Sequence, residues 1–260
     1  MRNVRIDLEY DGRNYCGWQW QPNLPTIEGA VKQAAETMLQ HSITLYSCGR
    51  TDAGVHAEQH VAHFHTEVRL PAHVVFRALN SLLPPDIAVH RVLDMPLDWS
   101  ARHDALEREY RYRFYRSQTP SVFWRGRSLW IERQLDVDAM REAAGRLVGK
   151  HDFSAFRSLH CDAESPVRRV LEIAFEENPP LIDMRVRGHA FLRHQVRTFA
   201  GTLLFVGLGK WPPSKVEDIL ASKDRAQAGP TLEPHGLTLA AVRYEGDEER
   251  FAAQEWLLRE

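Results

Sequence analysis

ITLYSCGRTDAGVHAEQHVAHFHT, residues 43–66, decides how this chain folds. Ile43 to Cys48 read as one strand and Ala57 to Thr66 as the next, so two strands adjacent in sequence flank a tight polar turn. That turn, Gly49-Arg50-Thr51-Asp52-Ala53-Gly54-Val55-His56-Ala57, carries glycines that admit conformations and close approaches a Cβ resists. Arg50 and Asp52 place opposite charges two residues apart. A bare Thr-Asp-Ala-Gly is ordinarily a turn whose aspartate bonds its own backbone, so its reading as an active-site loop depends on the surrounding chain.

Working outward, Val4, Ile6, Leu8 and Tyr10 alternate with Arg5, Asp7 and Glu9, the period of a strand with one buried face. Asp11-Gly12 ends it. Thr26 is placed to N-cap a helix in which Ile27, Val31, Ala34, Ala35 and Met38 share a face. On the far side, Pro71 opens a helix carrying Val74, Val75, Ala78, Leu79 and Leu82, Pro84-Pro85 stops it, and Ile87 to Leu93 form a strand. The order strand, helix, strand, strand, helix, strand is the ferredoxin-like arrangement.

The second half repeats the pattern. Tyr110 to Tyr115 read as a strand, Val137 to Val148 as a helix, and Val170 to Phe175 and Ile182 to Val186 as strands joined at Asn178-Pro179-Pro180. A helix is expected from about Phe191, burying Leu192, Val196, Phe199, Leu203 and Val206, with a short helix near Ser214 to Ser222 and a last strand from Leu237 to Tyr244. The expected fold class is therefore α+β: two ferredoxin-like lobes with a mostly antiparallel sheet. The expected division is 1–104 and 105–260, joined near Arg102 to Glu107.

At 260 residues the chain buries roughly 70 to 75% of its extended surface on folding and needs no staple. Composition is ordinary, with 43% hydrophobic and 26% charged residues, and no apolar run approaches a membrane span. The first ten residues lack a hydrophobic signal core, so a cytoplasmic location with no membrane partner is expected. Cys16, Cys48 and Cys161 are odd in number and widely spaced, against a disulfide framework or a cysteine zinc site. A net charge of −2 does not announce a nucleic-acid binder. Local charge says more: between Arg108 and Arg127 six arginines are interleaved with Tyr110, Tyr112, Phe114, Tyr115, Phe123 and Trp124, opposed only by Glu109.

The turn at Gly49–Ala57 reads GRTDAGVHA, and with Glu9-Tyr10-Asp11-Gly12, Tyr15, Gly17-Trp18-Gln19, Tyr110-Arg111-Tyr112, Asp152-Phe153-Ser154 and Phe191-Leu192-Arg193-His194-Gln195-Val196-Arg197 it resembles the tRNA pseudouridine synthase A family over nearly the whole chain. The resemblance implies two lobes flanking a central cleft, a homodimer, and conversion of uridine to pseudouridine at positions 38, 39 and 40 of the tRNA anticodon stem-loop. It implies that Asp52 is the nucleophile, that Arg197 is its positive partner, and that Tyr110 contacts the target base. Such an isomerisation gains and loses no atom, so no cofactor is expected, and the chain has neither a Walker loop nor a dinucleotide fingerprint.

Other residues are assigned around this set. Arg50 is expected to guide a phosphate of the flipped nucleotide or to brace the loop. Arg193 and Arg197, four apart, are expected on one helix face. On the strand at Tyr110, the aromatic residues should face one way and Arg111 and Arg113 the other, toward RNA. Two positions depart from the family pattern: Trp20, where many members carry a basic residue, and Thr198, where asparagine is common.

Two other functions are weighed. A non-catalytic RNA-binding module shares the strand and helix order of RNA-recognition motifs, but the chain lacks their K/R-G-F/Y signature and such a module has no use for Arg50, Asp52 and Arg197. A metal hydrolase would have to use His56, His60, His63 and His65; on a strand, His63 and His65 share a face opposite His60, and no cysteine completes a site. No metal is expected.

Overall fold

A computed structural model describes residues 1–252. The chain divides into two compact units, 1–107 with 239–260, and 108–238. The boundary falls three residues beyond the expected 1–104, and the last strand, expected in the second lobe, groups with the first.

The first unit contains β1 (Arg2–Tyr10), α1 (Ile27–Leu39), β2 (Tyr46–Ser47), β3 (His56–Thr66), α2 (Ala72–Leu82) and β4 (Ile87–Met95). Its sheet runs β4-β1-β3 with β2 beyond β3, the ferredoxin-like strand order, and β1 pairs antiparallel with both neighbours. Thr26 caps α1, its Oγ1 accepting the Gly29 N–H at 3.2 Å, and the helix buries Ile27, Val31, Ala34, Ala35 and Leu39. β2 is shorter than expected. Ile43 N–H donates to Glu36 Oε1 at 3.0 Å rather than to a strand, and only Tyr46 and Ser47 pair with β3 before Cys48 N–H reaches Val61 O at 2.8 Å.

In the second unit, β5 (Glu107–Arg116), β6 (Leu129–Ile131), α3 (Val137–Gly145), β7 (Gly149–Asp152), β8 (Val167–Asn178), β9 (Leu181–Gly188), α4 (Gln195–Gly207) and α5 (Lys215–Ser222) follow in order. The strands lie β5-β9-β8-β7, each pair antiparallel, while β6 runs parallel to the end of β5. Phe153, Phe156 and Phe199 form an edge-to-face cluster under α4. The expectation of α+β lobes with mostly antiparallel strands therefore holds. β6 and β7, three and four residues long, are too short to show a period in the sequence.

α4 begins four residues later than the expected Phe191. His194 takes a left-handed φ of 68°, which a right-handed helix does not continue through, and Gln195 Oε1 accepts the Leu192 N–H at 2.8 Å to close that turn. The apolar stripe itself is as expected: Val196, Phe199, Leu203 and Val206 are buried.

β10 (Leu237–Arg243) lies beside β3, and α6 (Asp247–Ala252) follows it. β1 is consequently buried on both faces, unlike the half-exposed strand its alternation suggests. Arg5 and Asp7 are fully buried, and the Arg5 guanidinium holds Asp7 through Nε at 2.7 Å and Asp247 through Nη1 at 2.6 Å. Tyr244 lies under it at 4.6 Å and donates its hydroxyl proton to Ala101 O at 2.6 Å. Among the described residues no helix is long and apolar enough to cross a membrane.

Candidate active site

Asp52 sits at the start of a reverse turn whose Val55 N–H donates to Asp52 O at 3.1 Å, with Gly54 at φ 79°. Gly54 is thus the position where the turn needs a glycine. Gly49 has an ordinary φ and open space around it, so its expected role in backbone freedom is absent. Asp52 is half-buried, Thr51 before it is buried, and Arg50 projects into solvent.

The turn is braced by the segment 11–18. Trp18 N–H donates to Thr51 O at 3.0 Å and Gly54 N–H to Tyr15 O at 3.3 Å. The approach is too close for side chains: a Cβ on Gly12 would meet Val55 O at 1.9 Å, and one on Gly17, whose φ is 90°, would meet Thr51 O at 2.7 Å. Beneath the turn His56 Nδ1 lies 3.2 Å from the Gly12 N–H and 3.2 Å from Asp11 Oδ1. Burial opposes ionisation of Asp11, but hydrogen bonds from Arg13 outweigh it and hold the carboxyl down at about 2. The loop carrying Asp52 is therefore braced by backbone contacts from the segment before α1.

The four histidines have separate surroundings. His60 is fully buried against Tyr10 and Trp18, and burial drives its pKa down to about 3. His63 Nδ1 accepts the Ala101 N–H at 3.2 Å; burial, with His65 adding to it, lowers that imidazole to about 4. His65 Nε2 lies 3.1 Å from Leu97 O.

In the second unit Tyr110 is half-buried on β5 and meets Phe191 edge to face at 5.3 Å, while Tyr112 and Phe114 on the same face are wholly buried. Arg197, on the first turn of α4, is half-buried and donates from Nε to Leu232 O at 2.7 Å. The Leu232 N–H donates back to Arg197 O at 3.3 Å. Arg193 precedes the helix, so it does not share a helix face with Arg197; it is exposed and reaches His160 O at 3.4 Å. Trp20 is exposed, and Thr198 is buried with its hydroxyl 3.2 Å from that of Thr231.

The arginine strip of β5 is matched by carboxylates from strands about seventy residues later. Arg113 forks onto Asp183 at 2.7 and 2.6 Å, and Arg111 lies 3.7 Å from the same carboxylate. On β9, Arg185 bridges Glu109 and Glu176, and Arg187 pairs with Glu172. Register explains it, since Arg113 faces Asp183 and Asp183 faces Glu176 across the sheet. This face is an ordered lattice of both signs, so Arg113→Ala is expected to lower stability by about 1–3 kcal/mol, leaving the buried Asp183 poorly compensated. Urea denaturation measures this; unchanged stability with weaker tRNA binding would instead place Arg113 on RNA, as the sequence suggests.

A family model described as tRNA pseudouridine synthase matches residues 143–245. A tRNA pseudouridine synthase A of Geotalea daltonii is 42% identical over 244 residues, covering 94% of this chain and all of its own. One from Burkholderia mallei is 42% identical over 244 residues, covering 94% of this chain and 90% of its own. A third, from a Geobacter species, is 42% identical over 245 residues, with 94% and 99% covered.

Proposed function

This chain belongs to the tRNA pseudouridine synthase A family, and from that premise we propose that Asp52 is the nucleophile in converting uridines 38, 39 and 40 of the tRNA anticodon stem-loop to pseudouridine. The activity of the family is an isomerisation of uridine in tRNA: the bond from ribose C1′ to uracil N1 breaks, the base turns, and C1′ rejoins at C5, which loses its proton while N1 gains one. What such a reaction asks of a protein is an ionised carboxylate at a fixed position and a site that retains the loosened base. The observation that carries the assignment is the turn itself, which presents Asp52 half-buried on a backbone held by Trp18, Tyr15 and two glycines without room for a side chain.

On the same reading Arg197 supplies positive charge to the reaction and Tyr110 holds the target base. The anchoring of Arg197 Nε on Leu232 O supports a fixed rather than a sweeping guanidinium. Exposed Arg50 and Arg193 take phosphates of the substrate strand, which must leave its stack at a cost of a few kcal/mol. Incubation with unmodified tRNA carrying tritium at uracil C5 tests the reaction: release of label, with pseudouridine mapped to 38, 39 and 40 by carbodiimide derivatisation and primer extension, is expected. No release would overturn the assignment, and release from other positions would overturn the site.

The chain acts as a homodimer in the cytoplasm on this reading. Val122 and Phe123, in the segment between β5 and β6, are adjacent apolar side chains 81% and 86% exposed, and on this reading a second copy covers them. Phe123→Asp is accordingly expected to shift sedimentation toward the monomer without unfolding it; a dimer unmoved by that charge would place the interface elsewhere.

A further inference from the structure

Thr51, the residue before Asp52, is buried and gripped twice: its carbonyl by the Trp18 N–H, and its hydroxyl by Tyr10 Oη at 2.8 Å. Tyr10 Oη in turn lies 3.1 Å from His60 Nδ1. His60 has no exposure, is stacked on the Trp18 indole with centroids 3.7 Å apart and planes 11° from parallel, and its Nε2 has no hydrogen-bond partner. All four side chains belong to the first unit.

The orphaned Nε2 orders the network. A neutral imidazole carries one N–H, and burial keeps His60 neutral at working pH, with a pKa near 3. A buried N–H without an acceptor is costlier and rarer than an unused acceptor, so the proton belongs on Nδ1. Nδ1–H then donates to Tyr10 Oη, and the Tyr10 hydroxyl is left to donate to Thr51 Oγ1.

We propose that His60 and Tyr10 are positioning residues for the reaction, a one-way hydrogen-bond chain from His60 Nδ1–H through Tyr10 Oη–H to Thr51 Oγ1 that fixes the turn presenting Asp52. This rests on Asp52 as nucleophile. The His60 imidazole serves as the terminal donor, and Trp18 both seals it from water and clamps the Thr51 carbonyl. Asp52 has one covalent link to a residue held at both ends, so loss of the Tyr10 hydroxyl lets the carboxylate drift while tRNA contacts elsewhere stay intact.

Two measurements test it. Nitrogen-15 spectra of the wild-type protein are expected to show His60 as the Nδ1–H tautomer; a proton on Nε2 would overturn the chain whatever the activity. Tyr10→Phe and Thr51→Val are each expected to lower single-turnover tritium release by roughly 10- to 100-fold with tRNA affinity within about twofold, and the double variant to be no slower than either single. Thr51→Ser, which keeps the hydroxyl, is expected to restore most of the rate. Independent, multiplicative losses in the double variant, or wild-type turnover in Tyr10→Phe, would sink the proposal. Wild-type protein that releases no tritium would overturn the nucleophile assignment, and the positioning role with it, while the tautomer still decides the hydrogen-bond chain.

Discussion

Asp52→Asn is expected to abolish tritium release from C5-labelled tRNA, by at least about 10⁴-fold, while leaving fold and tRNA affinity close to wild type. The substitution is near-isosteric and removes one negative charge from a half-buried side chain at the head of a turn. The turn has backbone supports that carry no charge. It is held by Val55 N–H on Asp52 O, by Trp18 N–H on Thr51 O, and by the close approach of Gly12 and Gly17, all backbone features that asparagine preserves. A nucleophile cannot be replaced by a group that lacks an ionised oxygen, so the whole effect should fall on chemistry. Thermal unfolding, tRNA binding and single-turnover release on the same preparation separate the cases. Retained turnover at even a hundredth of the wild-type rate would exclude Asp52 as the attacking group, and equal losses of binding and turnover would make it a structural turn residue after all.

How much of this could be read beforehand depends on how far apart the cooperating residues lie. The Asp52 turn is nine contiguous residues, and its positive-φ Gly54 is written in the sequence. The alternation of β1 and the apolar stripes of α1 and α4 are likewise local, so most elements and the ferredoxin-like order followed. What failed was non-local. Nothing in RYRFYR tells a reader that Asp183 and Glu176 will lie across the sheet from Arg113, because register, not composition, neutralises that strip. The start of α4 slipped because a histidine, though commoner than most residues at positive φ, marks that conformation far more weakly than a glycine does. Tyr10 and His60, fifty residues apart, meet because β1 and β3 pair antiparallel with Leu8 opposite His60, a register that makes His60 a core residue.

The largest structural effect is expected at Arg5. Asp7 is fully buried on β1, and burial raises its carboxyl pKa while Arg5 pulls it back down; Asp247, from the acidic run after β10, shares the same guanidinium. Removing one member of such a cluster leaves uncompensated charge in a dry site, so Arg5→Met is expected to cost about 3–5 kcal/mol in urea denaturation at neutral pH. The pH dependence has a definite sign. Without the guanidinium the folded-state pKa of Asp7 rises further above its unfolded value, so the folded state binds that proton more tightly. The penalty is then complete above the raised pKa and shrinks as pH falls through it toward the unfolded value, which means mild acid should narrow the gap between variant and wild type. Replacing all three charges together, as Arg5→Met with Asp7→Leu and Asp247→Leu, should recover much of the loss, since well-packed apolar groups are often no worse than a buried ion cluster. A cost below about 1 kcal/mol for Arg5→Met alone, or a gap that widens in acid, would mean the two carboxylates do not depend on Arg5, and that β1 is covered by packing of Trp99 and Tyr244 rather than tied through charge to the segment after β10.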